Sequence, residues 1–103
     1  MKGRKNSSEI RENIASLLLH LKKSYGYEVY KNYIEVFGKV HIRSIYYNLK
    51  KGVATKEFEI DGVRRERGDY TWGPESERMY YTLGPAGNAK QLAEEKLKKI
   101  RKL

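Results

Sequence analysis

Apolar residues of this chain recur at helical spacing three times before residue 53 and at alternating spacing after it. That switch restricts the fold more than any other feature, because helices present a face about every 3.6 residues and strands every 2. Ile10, Ile14, Leu17, Leu18 and Leu21 fall on one helical stripe. Tyr30, Tyr33, Ile34 and Phe37 form a second, and Ile42, Ile45, Tyr46 and Leu49 a third. Gly38 ends the second stripe, since glycine accepts the left-handed conformation of a helix terminus. Gly52 is expected to close the third. Two short helices joined by Gly38-Lys39-Val40 read as a helix-turn-helix.

From residue 56 the pattern is extended. Lys56 to Val63 alternates polar and apolar residues, and Arg78 to Leu83 is rich in strand formers. The stretch from Arg64 to Glu77 is too polar and glycine-rich for a core strand. The spacing therefore predicts one long hairpin over about 56–83, with Asp61-Gly62 as a competing site for a tight turn. Val40, Phe58, Ile60 and Leu83 are expected to join the three stripes in one core. Ala89, Leu92, Ala93, Leu97, Ile100 and Leu103 share a further face, which predicts a basic amphipathic helix over 88–103. The expected fold class is α+β: a winged helix-turn-helix with a three-helix core, a β-hairpin wing and a C-terminal amphipathic helix. At 103 residues it fits a single domain, 1–103, with its core over 8–87.

The formal net charge is +9. Positive charge concentrates on the predicted helices: residues 1–23 carry a net +4, 24–52 +3 and 85–103 +4, whereas 53–84 carry −2. A surplus of this size favours an anionic partner such as nucleic acid. A solvated charge network of the high-temperature kind is the other reading, since 34% of residues are charged. There is no cysteine, hence no disulfide and no thiolate metal site. His20 and His41 are the only histidines and lie on different predicted helices, and no closely spaced histidine–carboxylate pattern points to zinc. Gly84-x-x-Gly87 lacks the strand-to-helix setting of a phosphate loop. Neither catalysis nor a cofactor is expected. The apolar stretch around Leu17–Leu19 is too short to span a bilayer, and the basic start is not followed by an apolar signal core. These features predict a cytoplasmic protein without a membrane partner.

With the third stripe turned inward, helical geometry assigns the outward set: Arg43, Ser44, Tyr47, Asn48 and Lys51, with His41 at the start and Lys50 at the flank. Such a helix fits the major groove, where Arg43 can fork onto a guanine and Asn48 can pair with an adenine edge. Tyr47 and Ser44 reach phosphates or thymine methyls, and Lys50 and Lys51 suit the backbone. The expected partner is double-stranded DNA. An ordinary solvated helix face is the bland alternative. In the wing, Arg64, Arg65 and Arg67 cluster with Tyr70 and Trp72. Arginine there can enter a narrow minor groove, or pair locally with Glu66, Asp69, Glu75 and Glu77. Trp72 either packs on the core or meets a second subunit.

The chain has nine tyrosines. Most are assigned to core or interface, and stacking on single-stranded bases is the lesser reading. That excess also motivates an RNA- or ribosome-associated module as an alternative function, and a protein-interaction module is a further one. The tail residues Leu92, Ala93, Leu97 and Ile100 pack either on the first helix or on a twin chain. A homodimer is expected, because paired half-sites suit this fold class.

Gly26-Tyr-Glu-Val-Tyr30, then Ile45-Tyr46 with Leu49-Lys-Lys-Gly-Val53, then Arg78-Met-Tyr-Tyr-Thr-Leu83 followed by Gly84 and Gly87, resemble the PadR-type winged-helix transcriptional regulators. The resemblance covers about Ile10 to Gly87, and its specificity lies in the order of short motifs. It implies transcriptional regulation, usually repression, by a dimer on palindromic DNA, with the C-terminal helix aiding dimerisation. It also implies that Ser44, Tyr47 and Lys50 lie along the DNA-facing helix, with Arg64 and Arg65 in the wing.

Overall fold

The first stripe becomes helix α1 (Ser7–Leu21), and all five of its residues are buried. Lys22 then takes a left-handed φ of 74°, which turns the chain into a three-residue strand β1 (Lys23–Tyr25). Helices α2 (Gly26–Val36) and α3 (Ile42–Ala54), strands β2 (Phe58–Tyr70) and β3 (Gly73–Leu83), and a short helix α4 (Glu94–Leu97) follow. The computed structural model describes residues 7–70 and 73–103, with side chains over 8–62 and 78–103. Among these residues the fold is a small α+β arrangement of four helices and one antiparallel sheet ordered β1-β3-β2. That order is compatible with a winged helix.

β1 has no counterpart in the sequence pattern, because three residues are too few to display alternation. Its pairing is nonetheless regular: Lys23, Ser24 and Tyr25 oppose Thr82, Tyr81 and Tyr80. The hairpin expected over about 56–83 is present and longer in its strands than the pattern indicated. Phe58 opposes Leu83, Val63 opposes Met79, and the ladder continues to Tyr70 opposite Gly73. Asp61-Gly62 makes no turn; the register shifts between Ile60 and Gly62, so Asp61 is the extra residue of a bulge. Val40 and Leu83 pack against the core and Phe58 lies within it, but Ile60 is half-exposed. The core assignment of Ile60 is therefore corrected.

Two stripes are rotated from their sequence reading. On α2 the buried set is Gly26, Glu28, Val29, Asn32, Tyr33 and Val36, while Tyr30 and Phe37 sit at the margin of the core. On α3 it is Ile45, Asn48, Leu49 and Gly52, whereas Ile42 and Tyr46 are exposed. This α3 set has the i, i+3, i+4, i+7 spacing of a single helical face. Its polar and side-chain-free members concealed it. Gly52 does not close the helix, which runs on to Ala54. It lies against Phe58, where an added Cβ would come within 2.1 Å of the ring. Gly38 does behave as anticipated: its φ is +104°, and its N–H donates to the Tyr33 carbonyl at 3.2 Å.

The continuous helix expected over 88–103 does not form. Only Glu94–Leu97 is helical, and the rest of the segment is a strap laid over α1 and α2. The Lys90 N–H donates to Ser16 Oγ at 2.9 Å, and that of Leu92 to His20 Nε2 at 3.5 Å. Asn32 bonds Arg101 both ways, accepting from its N–H at 2.7 Å and donating to its carbonyl at 2.8 Å. Buried Glu28 accepts from Ser24 Oγ at 2.6 Å and from the Leu103 N–H at 2.7 Å. The buried polar residues of α2 are thus explained: they hold main-chain groups of the strap that an intact helix would have bonded internally. No helix among the described residues is long and apolar enough to cross a membrane.

Candidate nucleic-acid interface

The orientation of α3 is set by a polar lock on its inner side. Arg11 of α1 donates from Nε to Glu57 Oε1 at 2.8 Å and from Nη1 to Asn48 Oδ1 at 3.1 Å. Asn48 in turn donates from Nδ2 to the Ser44 carbonyl one turn back, at 2.8 Å. Thr55 Oγ1 donates to the same Glu57 oxygen. One guanidinium therefore joins α1, α3 and the chain entering β2. Charge-assisted bonds of this kind are the stronger class, and the Arg11–Glu57 pair is mostly shielded from water.

The lock corrects one residue of the expected site. Asn48 is 1% exposed and both ends of its amide are engaged, so it does not face outward. Arg43, Tyr47, Lys50 and Lys51 are exposed, as is His41 at the N-cap. Ser44 is half-buried. Tyr46 and Ile42, assigned to the core from spacing, complete the outward face instead. No acidic residue occurs anywhere in α3, so its three cations are uncompensated within the helix.

The wing arginines sit in β2, where Arg64 pairs in register with Arg78, Arg65 with Glu77 and Arg67 with Glu75. Their side chains, and Trp72 altogether, lie outside the described residues. The residues assigned to dimerisation do not form one helical face. Leu92 and Ile100 pack on the protomer's own core, Leu97 is half-buried and Ala93 is exposed. Beside Leu97, Lys96 holds its ammonium 5.1 Å from the centroid of Phe37.

No protein-family model matches this chain, and no curated protein matches it either. Among the described residues, no group of three histidine, cysteine, aspartate or glutamate side chains converges as a metal site would require. Gly84-x-x-Gly87 plays a structural part. The Gly84 N–H donates to the Glu57 carbonyl at 2.8 Å, and a Cβ there would lie 2.5 Å from the Lys56 carbonyl oxygen. These glycines close the base of the hairpin.

Spacing missed a groove beside α3. It has a volume of 710 Å³ and is lined by Tyr25, Tyr27, Tyr46 and Tyr81 with Arg78 and Met79 among others. Burial raises the Tyr46 hydroxyl above its ordinary pKa, with Tyr27 adding to the effect. Burial likewise raises Tyr81, with a smaller contribution from Tyr46. Both side chains are uncharged hydrogen-bonding groups at neutral pH. The excess of tyrosine in the sequence was the available signal, but tyrosine reads equally well as core.

Proposed function

We propose that this protein binds double-stranded DNA by a winged-helix mechanism, with α3 in the major groove, and acts as a transcriptional regulator. One observation carries the reading: a buried lock leaves a cationic face of α3, made by Arg43, Tyr47, Lys50 and Lys51, open to a partner. A helix with that face meets a polyanion without an internal carboxylate to repel it. Arg43 supplies the forked donor suited to a guanine edge. Lys50 and Lys51, in the second half of the helix, suit phosphates. The order α1-β1-α2-α3-β2-β3 supports the winged-helix assignment, and the wing arginines extend the same surface in this proposal. The PadR-like motif order supports a role in gene regulation, with a homodimer in the cytoplasm as its working form.

The test is duplex binding measured across a salt series. Binding through phosphates gives log K falling steeply with log salt. Arg43→Ala is expected to flatten the preference between duplex sequences selected from a random pool. Half-site spacing in the same pool reads out the dimer. If the protein shows no salt-dependent duplex binding, or Arg43→Ala leaves sequence preference intact, the assignment of this face is wrong.

A further inference from the structure

The tyrosine groove continues into a second, more apolar one. That second groove, of 440 Å³, is lined by Tyr46, Lys50, Val53, Ile60, Met79 and Tyr81. The two share Tyr46, Met79 and Tyr81, so together they form a trough running from Tyr27 on α2 along α3 to Ile60 on β2. An exposed apolar, aromatic surface of this kind is a candidate interaction site. Its residues Tyr27, Tyr46, Ile60 and Met79 are each more than 40% exposed.

The shape of the trough depends on particular residues. An added Cβ at Gly26 would lie 2.2 Å from Tyr46 Cε1, so glycine there lets the Tyr46 ring lie across the start of α2. The Tyr25 ring is already stacked, with the Arg78 guanidinium carbon 4.4 Å from its centroid. Among the described side chains lining either part, none is acidic, and Arg78 and Lys50 bring positive charge to it. Aromatic faces with cations at the margin and no acidic side chain suit a flat ring attached to a phosphate. A base inside a duplex keeps its faces stacked and cannot enter; an unpaired one can.

We propose that this trough receives an unpaired base of DNA next to the duplex held by α3, so that the preferred target is a duplex–single-strand junction. The inference rests on the duplex reading of α3. Tyr27 and Tyr46 offer ring faces or edges to the base, and Arg78 and Lys50 hold the flanking phosphates.

The experiment measures fluorescence anisotropy of the full chain with three labelled probes: a blunt duplex, the same duplex bearing an oligo-dT overhang of either polarity, and the blunt duplex bearing an oligo-U RNA overhang. A DNA overhang is expected to tighten binding about tenfold or more. Tyr27→Ala should remove most of that gain while blunt-duplex affinity stays unchanged, and Tyr27→Phe should restore it. Independently, photocrosslinking with iododeoxyuridine in the overhang should place adducts on Tyr27, Tyr46 or Tyr81. Equal affinity for blunt and overhang probes overturns the groove proposal and leaves the α3 reading standing. Absence of any DNA binding overturns both. Adducts outside the trough, or stronger binding of the RNA overhang, overturn the assignment to unpaired DNA. Self-association abolished by Tyr27→Ala gives the trough to a second copy of the chain and overturns it too.

Discussion

Helix α3 and the strap over 88–103 share a basic, amphipathic sequence pattern, yet they end in opposite states. α3 bonds its main chain internally, so its outer side chains remain available. The strap keeps only one turn of helix and gives its main-chain groups to Ser16, His20, Asn32 and Glu28. Of its apolar residues, Ala89, Leu92 and Ile100 pack on the protomer's own core, whereas Ala93 and Leu103 are exposed. The difference teaches that a periodic basic segment does not specify a role. The role depends on whether neighbouring elements offer polar side chains that compete for the backbone.

The comparison can be broken most directly through packing. Leu49→Ala on the buried side of α3 should cost about 2–5 kcal/mol. Leu92→Ala in the strap should cost only about 1 kcal/mol, since that side chain is part-exposed. Both are read by chemical denaturation, and equal losses would show that the strap is as integral to the core as α3. Asn32→Ala removes both bonds to Arg101 and is expected to cost about 1–3 kcal/mol. Hydrogen exchange should quicken at Arg101 while the amides of α3 keep their protection; uniform acceleration would mean the two regions open together. On the binding side, Lys51→Ala should lower the salt slope for duplex DNA by about 1, whereas Lys98→Ala in the strap should leave it unchanged. An equal change in both would erase the functional distinction.

The smallest effect concerns pH. Burial raises the Tyr33 hydroxyl above its ordinary pKa, an effect opposed by the bond from Asn13 and assisted by Glu9. Its stabilising contribution is therefore complete below about pH 10 and is lost as pH climbs from there through the raised folded-state value. The thermal unfolding midpoint above pH 10 should fall with pH more steeply for the native chain than for Tyr33→Phe. Parallel curves would remove Tyr33 as the cause.

Sequence reading succeeded for α1, whose stripe is made of aliphatic residues and nothing else. It placed α2, α3 and the hairpin along the chain but rotated both of those helices. On α3 it took Tyr46 as core and Asn48 as surface, because residue type was used as a proxy for burial. The Asn48 amide is inside because Arg11, remote in sequence, brings it a charged donor. Of the expected contact set, His41, Arg43, Tyr47, Lys50 and Lys51 are exposed, whereas Asn48 is not. The tyrosine trough had no periodic signature at all, since its walls come from α2, α3 and the sheet.

What the chain's own order of residues determined was the placement of most elements: an aliphatic stripe, a glycine stop at residue 38, and a change of period after α3. Those are local properties, carried by backbone preference and the spacing of apolar groups. Tertiary structure alone decided which way α3 turns, that β1 joins the sheet, and that the tail becomes a strap. Each of these depends on a bond between residues dozens of positions apart, and a hydrogen-bond partner supplied from another element leaves no trace in the periodicity of its own.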